Sequence, residues 1–319
     1  MKILITGVAG FIGFHTAKKF IDNGYQVVGI DNLNDYYDVN LKQSRLKILA
    51  NSKSFIFHEV DISDTENINI LKKYEFKYVI HLAAQAGVRY SISNPDAYIK
   101  TNLVGFFNII SLANLFNLNN FVYASSSSIY GIDNLIPFDE NMTNLNPASL
   151  YAATKICNET IAQSLSNISK FKNYCGLRFF TVYGPWGRPD MALFKFTKSI
   201  LNNEKIEIYN HGEMLRDFTY IDDIVEGIYL ITLNYKKNRH DVYNIGNGTP
   251  IKLMEFVNLI EHFLNKKALI TYKDMQLGDV KETHANIDKI KTEFGFNPKI
   301  KPNEGIKKFI SWYKDYYVF

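Results

Sequence analysis

The chain opens on Lys2-Ile3-Leu4-Ile5-Thr6 and runs straight into Gly7-Val8-Ala9-Gly10-Phe11-Ile12-Gly13. No other feature constrains the fold as much. A side chain at glycines spaced GxxGxxG would block a tight strand-to-helix turn and the approach of a phosphate to the backbone. The N–H groups opening the next helix then face that phosphate. Such a loop alone can be an ordinary turn. Here it follows a strand, opens a helix and lies inside a strand–helix–strand unit, which is the setting of a dinucleotide pyrophosphate site. The apolar run breaks at Thr6-Gly7 with no small-residue cleavage site after it, so it reads as a buried first strand and not as a leader.

The alternation continues. Short β-branched and aromatic runs at 2–6, 26–31, 55–60, 78–82, 121–125 and 176–180 predict buried parallel strands. Longer stretches of helical periodicity separate them; the longest, 95–116, reads as one helix. This pattern predicts an α/β fold, a Rossmann-type doubly wound parallel sheet with right-handed crossovers. After residue 180 the pattern loosens around Gly184, Pro185, Gly187 and Pro189. Strands at 206–209 and 242–245 alternate with helices near 224–233, 253–263 and 306–313. We therefore expect a dinucleotide-binding domain at 1–180 and a smaller C-terminal α/β substrate lobe at 181–319, with some segments returning to the core.

Basic residues number 36 and acidic residues 32, a net charge of +4 spread along the chain. This argues against a nucleic-acid partner, which calls for a dense basic stripe. No apolar run suits a membrane span. The two cysteines, Cys157 and Cys175, exclude a disulfide scaffold and read as reduced, partly buried thiols of a cytoplasmic protein. The seven histidines are scattered without ligand spacing, so no metal site is expected.

The second strand ends at Asp31, whose carboxylate suits the two hydroxyls of an adenosine ribose and repels a 2′-phosphate, favouring NAD. Asn32 is its expected neighbour. Asp61 and Ile62 end strand three near the adenine, and the small residues of Leu82-Ala83-Ala84 suit a flat cofactor. Asn102, in the 95–116 helix, is counted with the cofactor contacts. Strand five ends in Ser125-Ser126-Ser127-Ser128, hydroxyls at a carboxyl end that opens on the ligand crevice. Tyr151-Ala152-Ala153-Thr154-Lys155 starts a helix, with Tyr and Lys one turn apart on one face. A phenol near pKa ~10 is a poor base at neutral pH, but a neighbouring ammonium and a positive nicotinamide both favour phenolate. Tyr151 is therefore the expected proton acceptor, Lys155 its partner and a ribose ligand, and Ser126 a hydrogen-bonding group on the same oxygen.

These residues resemble, essentially end to end, the extended short-chain dehydrogenase/reductase superfamily and its nucleotide-sugar epimerases. The markers are the Gly7 to Gly13 loop, Ser126/Tyr151/Lys155, Leu177-Arg178-Phe179-Phe180-Thr181-Val182-Tyr183-Gly184-Pro185 and Arg216-Asp217-Phe218-Thr219-Tyr220-Ile221-Asp222-Asp223. Three further stretches resemble bacterial UDP-glucuronate 4-epimerases of capsule and lipopolysaccharide pathways: Asp31-Asn32-Leu33-Asn34-Asp35-Tyr36-Tyr37-Asp38, Ala83-Ala84-Gln85-Ala86-Gly87-Val88-Arg89-Tyr90-Ser91 and Trp186-Gly187-Arg188-Pro189-Asp190-Met191-Ala192. Related 4,6-dehydratases carry an Asp-Glu pair after the catalytic Ser/Thr position, and UDP-glucuronate decarboxylases carry Glu at the second of those places. Ser127 and Ser128 stand there in this chain.

The resemblance implies a redox-neutral C4 epimerisation of a UDP-sugar through a 4-keto intermediate, with tightly held NAD. UDP-glucuronate to UDP-galacturonate is the first expectation. UDP-N-acetylglucosamine or UDP-glucose epimerisation remains an alternative, and decarboxylation or dehydration a weaker one. Arg89, Arg188 and Arg216 are candidate counter-charges. The resemblance gives Arg216 to the diphosphate, Thr181 and Arg188 to the substrate, and Asp279 (in Gln276-Leu277-Gly278-Asp279-Val280) to the nucleotide end. Ser127, Ser128 and Thr181 are expected to hold a uronate carboxylate so that the β-keto acid keeps its carbon dioxide. A homodimer is implied, through a four-helix bundle built from the helices at 95–116 and 149–165.

Overall fold

The computed structural model describes residues 1–132, 135–276 and 279–318. The apolar runs become β1 (Lys2–Thr6), β2 (Gln26–Asp31), β3 (Phe55–Glu59), β4 (Tyr78–His81), β5 (Asn120–Ser126) and β6 (Tyr174–Phe179). Between them lie α1 (Phe11–Asp22), α2 (Val39–Ala50), the short α3 (Tyr90–Ser93) and α4 (Pro95–Tyr98), α5 (Phe106–Ala113) and α6 (Leu150–Ile168). The rest adds β7 (Thr181–Tyr183), α7 (Ala192–Leu201), β8 (Lys205–Tyr209), β9 (Leu215–Arg216), β10 (Phe218–Tyr220), α8 (Ile221–Asn234), β11 (His240–Ile245) and β12 (Ile251–Lys252). It closes with α9 (Leu253–Leu264), β13 (Leu269–Lys273), α10 (Asp288–Phe294) and α11 (Pro302–Tyr317).

Seven strands pair in the order β3-β2-β1-β4-β5-β6-β11, every neighbour parallel. The order reverses between β1 and β4, which opens a crevice at the carboxyl ends of the strands. The pleat sends alternate residues to opposite faces. Ile3 and Ile5 pack with Phe11, Phe14 and Ile80, whereas Leu4 packs with Val28, Val79 and Phe121. The Ile3 side runs without a break into Ile206, Phe218, Phe256 and Tyr313, so the C-terminal elements share its core. β11 returns to the edge of the main sheet beside β6. Among the described residues three two-stranded sheets follow, β7 with β10, β9 with β12 and β8 with β13, and β7, β8, β9, β10 and β13 add residues to the lining of the crevice.

The 95–116 segment is not one regular helix. Between α4 and α5 the chain widens into a π-type coil at Ile99–Gly105. Gly105 lies against Ile62; a Cβ there would sit 2.6 Å from the Ile62 side chain. Helical periodicity shows which face is apolar but not a change in residues per turn. Cys175 is buried and Cys157 exposed, so the thiols are not both partly buried; neither is paired. Among the described residues no helix is long and apolar enough to cross a membrane.

Candidate active site

The carboxyl ends of the central strands open onto one cavity of about 1770 Å³. Gly7, Gly10, Phe11, Ile12, Gly13, Asp31, Asn32, Ile62, Leu82, Ala83 and Ala84 line one end. Ser126, Ser127, Ser128, Tyr151 and Lys155 line it too, as do Arg89, Thr181, Arg188, Arg216 and Asp279, with the Arg188 charge close enough to act on Tyr151. Leu277 and Gly278 lie outside the described residues.

The glycine loop suits a pyrophosphate on its own geometry. Gly7 has φ +71°, and a Cβ there would lie 2.7 Å from Ala83 N. At Gly13 a Cβ would lie 2.0 Å from Gly7 O, so no larger residue fits the turn. No side chain caps α1 and its first turn holds no acid, which leaves an uncapped, positive helix end at the cavity. Asp31 accepts from Ala9 N at 3.1 Å and Leu33 N at 3.0 Å, and its carboxylate oxygens keep lone pairs for a ribose. Burial pushes its carboxyl pKa up, and Lys42 opposes the shift.

Two expected cofactor contacts stand behind the wall instead of on it. Asp61 accepts from Ser63 N and Oγ and from Asn32 Nδ2, bonds that, against burial, hold its pKa low. It orders Asn32 and leaves the lining to Ile62. Asn102 is buried with its amide fully used: Oδ1 takes Gln85 N at 2.8 Å, and Nδ2 donates to Gln85 O and Thr154 Oγ1. It ties the loop after β4 to α6.

Ser149 caps α6 by accepting from Ala152 N, which fixes the helix start one residue before Tyr151. The serine cluster is itself ordered: Ser126 accepts from Ser128 N at 3.2 Å and donates to Ser128 Oγ at 3.1 Å. The expected effect of Lys155 on the phenol differs from what the structure gives. Lys155 Nζ sits 6.0 Å from the centre of the Tyr151 ring and donates to Ala124 O at 2.8 Å. Burial raises the Tyr151 pKa; the opposing effects come from the Ser126 hydroxyl and the Arg188 charge. Burial also lowers Lys155 to about 8, with Glu159 working against it. The protein by itself therefore keeps the phenol protonated.

Two of the three arginines are paired with acids. Arg188 donates through Nε and Nη2 to Asp190, which also accepts from Tyr36 OH at 3.1 Å. Arg216 pairs with Asp279 at 2.9 Å and donates to Val280 O and Lys281 O. Arg89 is exposed and lies over the Tyr209 ring at 5.0 Å. Sequence reasoning missed Asp190 as the acid that holds Arg188, although Arg-Pro-Asp at i and i+2 was a readable signal. It also missed Glu159, which accepts from Ser125 Oγ at 2.5 Å and from Arg178 Nε and Nη2 at 3.0 and 2.8 Å. Tyr151, Lys155 and Glu159 follow at i, i+4 and i+8 on one face of α6, a pattern that was there to read. Among the described residues, no group of three or more His, Cys, Asp or Glu is placed to hold a metal.

The sequence profile of the NAD dependent epimerase/dehydratase family matches residues 3–246. A Staphylococcus aureus protein called CapI is 48% identical, with 99% of each chain covered. The probable UDP-glucuronate 4-epimerase of Rhizobium meliloti is 44% identical, covering 99% of this chain and 98% of that protein. Among solved structures, the UDP-glucuronic acid 4-epimerase of Bacillus cereus in complex with UDP-glucuronic acid and NAD superposes with a TM-score of 0.92 at 31% identity. That match covers 99% of this chain and all of the other.

Proposed function

Because this chain belongs to the NAD dependent epimerase/dehydratase family, we propose that it interconverts UDP-glucuronate and UDP-galacturonate by inverting C4 through a 4-keto sugar. It is an NAD-dependent UDP-sugar C4-epimerase, the activity to which its UDP-glucuronate 4-epimerase relatives point. One observation carries the choice of plain epimerisation: hydroxyls alone, Ser126, Ser127 and Ser128, line the cavity at the end of β5. Among the described residues no acid lines that stretch; Glu159 stands behind it, bonded to Ser125 and paired with Arg178.

Bound NAD supplies the acceptor and donor for the electron pair of the sugar C4–H bond. The chain's residues do the rest. Gly7, Gly10, Phe11, Ile12 and Gly13 would hold the pyrophosphate, Asp31 and Asn32 the adenosine ribose, and Ile62 the adenine, with Asp61 ordering Asn32 from behind; Leu82, Ala83 and Ala84 would flank the ring system. Tyr151 Oη takes the proton of the C4 hydroxyl and later returns it, a positioned general acid and base. Ser126 holds the same oxygen. The chain's own groups raise the Tyr151 pKa, so the positive charge of bound NAD would be what favours the phenolate. Arg216 with Asp279 serves the UDP end, and Arg89, Arg188 and Thr181 serve the sugar end. Ser127, Ser128 and Thr181 donate to the uronate carboxylate without acting as acids.

The test is product analysis after incubation with UDP-glucuronate and no added cofactor. UDP-galacturonate is the expected product, without free NADH. A UDP-pentose or a keto-deoxy sugar would overturn the assignment. Tyr151→Phe should lower kcat by roughly 10²–10⁴-fold while NAD stays bound. Within this reading, residues 1–180 bind the dinucleotide and 181–319 mainly the nucleotide sugar. A homodimer is part of the proposal, supported by the exposed Ile99, Val104 and Phe107 on the helical segment before α6. Cytoplasmic residence is the third part, in keeping with two unpaired thiols.

A further inference from the structure

Arg45, on α2, is fully buried, yet every hydrogen-bond acceptor around it is neutral. Nη1 donates to Ala9 O at 2.7 Å and Tyr37 OH at 2.8 Å. Nη2 donates to Trp186 O at 2.7 Å and Gly187 O at 3.3 Å. Nε has no partner, and no carboxylate of the described residues pairs with the group. A buried cation without a directly paired carboxylate is expensive, so its retention needs a reason.

The acceptors supply one. Ala9 belongs to the glycine loop, whose far side faces the cavity. Trp186 and Gly187 belong to the loop after β7, which carries Arg188. Trp186 has φ +60°, a left-handed backbone that a bulky side chain rarely adopts and that persists only when its surroundings enforce it. Its carbonyl is turned onto Arg45. α1 holds the same loop from the other side: His15 Nε2 donates to Pro185 O at 3.0 Å.

We propose that Arg45 is a positioning residue that straps the dinucleotide loop to the Trp186–Arg188 loop, so that cofactor occupancy and the geometry of the sugar site are coupled. This rests on the reading of the cavity as a joint NAD and UDP-sugar site. The rigid fork of a guanidinium reaches both loops at once, and a lysine reaches at most one side. Its charge acts on the buried Asp31 carboxylate without pairing with it and lies behind the glycine loop.

The experiment compares wild type, Arg45→Lys and Arg45→Gln as purified. NAD content is read after denaturation, KM and kcat with UDP-glucuronate in excess NAD, and tryptophan emission without added ligand. The only two tryptophans, Trp186 and Trp312, touch at 5.2 Å, so emission reports on this loop. Arg45→Gln should lose most of its NAD, shift its emission and raise KM roughly tenfold or more, with kcat within about threefold because β5 and α6 are untouched. Arg45→Lys should recover NAD content but not KM. A variant that only melts earlier, with wild-type NAD content, KM and emission, would mean Arg45 is merely structural and overturns the proposal. If Arg45→Gln does not fold, Arg45→Lys decides alone: raised KM with altered emission supports the strap, wild-type values for both refute it. The emission arm needs no ligand, so it judges Arg45 even if wild type turned over no UDP-glucuronate, a result that would sink the functional reading instead.

Discussion

Replacing Lys155 by Met should abolish epimerisation and yet make the cofactor-free protein more stable. Lys155 is 3% exposed, and burial lowers its pKa from 10.5 to about 8. That drop corresponds to roughly 3 kcal/mol of disfavoured charge. Met keeps the apolar stem but removes the donor to Ala124 O, a loss of about 1–2 kcal/mol. The net gain near pH 7 is roughly 1–2 kcal/mol, which for a chain of 319 residues is a rise in Tm of about 1.5–3 °C. Its pH dependence has a definite sign. Below the folded pKa of about 8 the lysine is charged in both states, and the folded state bears the whole penalty. Above it the folded lysine is neutral while the unfolded one still holds its proton, so the penalty fades up to the unfolded value of 10.5. Less than half should remain at about pH 9.5. The assay is thermal unfolding of both proteins, stripped of dinucleotide, across that range. A variant that melts below wild type near pH 7, or a difference that does not shrink toward about pH 9.5, refutes the account of Lys155 as a penalised buried charge.

Three shorter predictions follow from packing. Gly13→Ala puts a methyl 2.0 Å from Gly7 O, so the purified protein should lack NAD and lose roughly 2–4 kcal/mol in denaturant unfolding. Glu159→Gln leaves the Arg178 guanidinium, whose side chain is 4% exposed, without its acid; a loss of about 3–5 kcal/mol is expected, and the double change Glu159→Met with Arg178→Leu should recover most of it. Phe107→Glu, at a residue 53% exposed in this chain, should turn the proposed dimer into a monomer by light scattering with the monomer still binding NAD.

Much of the site was legible because it is local. The Gly7 to Gly13 spacing, the hydroxyls ending β5 and the Tyr151–Lys155 turn each depend on residues within one strand-turn-helix or one helical turn. The central strands were legible too, since parallel buried strands are continuous apolar runs, whereas the run at 55–60, expected buried, forms the half-exposed edge strand β3. The widened coil at Ile99–Gly105 was not, because apolar spacing does not record how many residues make a turn there.

The sequence by itself determined the sheet, the glycine loop and which groups could move a proton. Only the tertiary structure decided the electrostatics around them. α2 presents Leu41, Lys42, Arg45 and Leu49 to the interior, so two cations that look like solvent-facing charges are buried beside Asn34, Ala9 and Trp186. Arg188 and Arg216 are already neutralised by Asp190 and Asp279, and Tyr151 is raised, not lowered, by its surroundings. A charge's state depends on which distant segments exclude water from it and which supply its partner, and neither is written in the neighbouring residues.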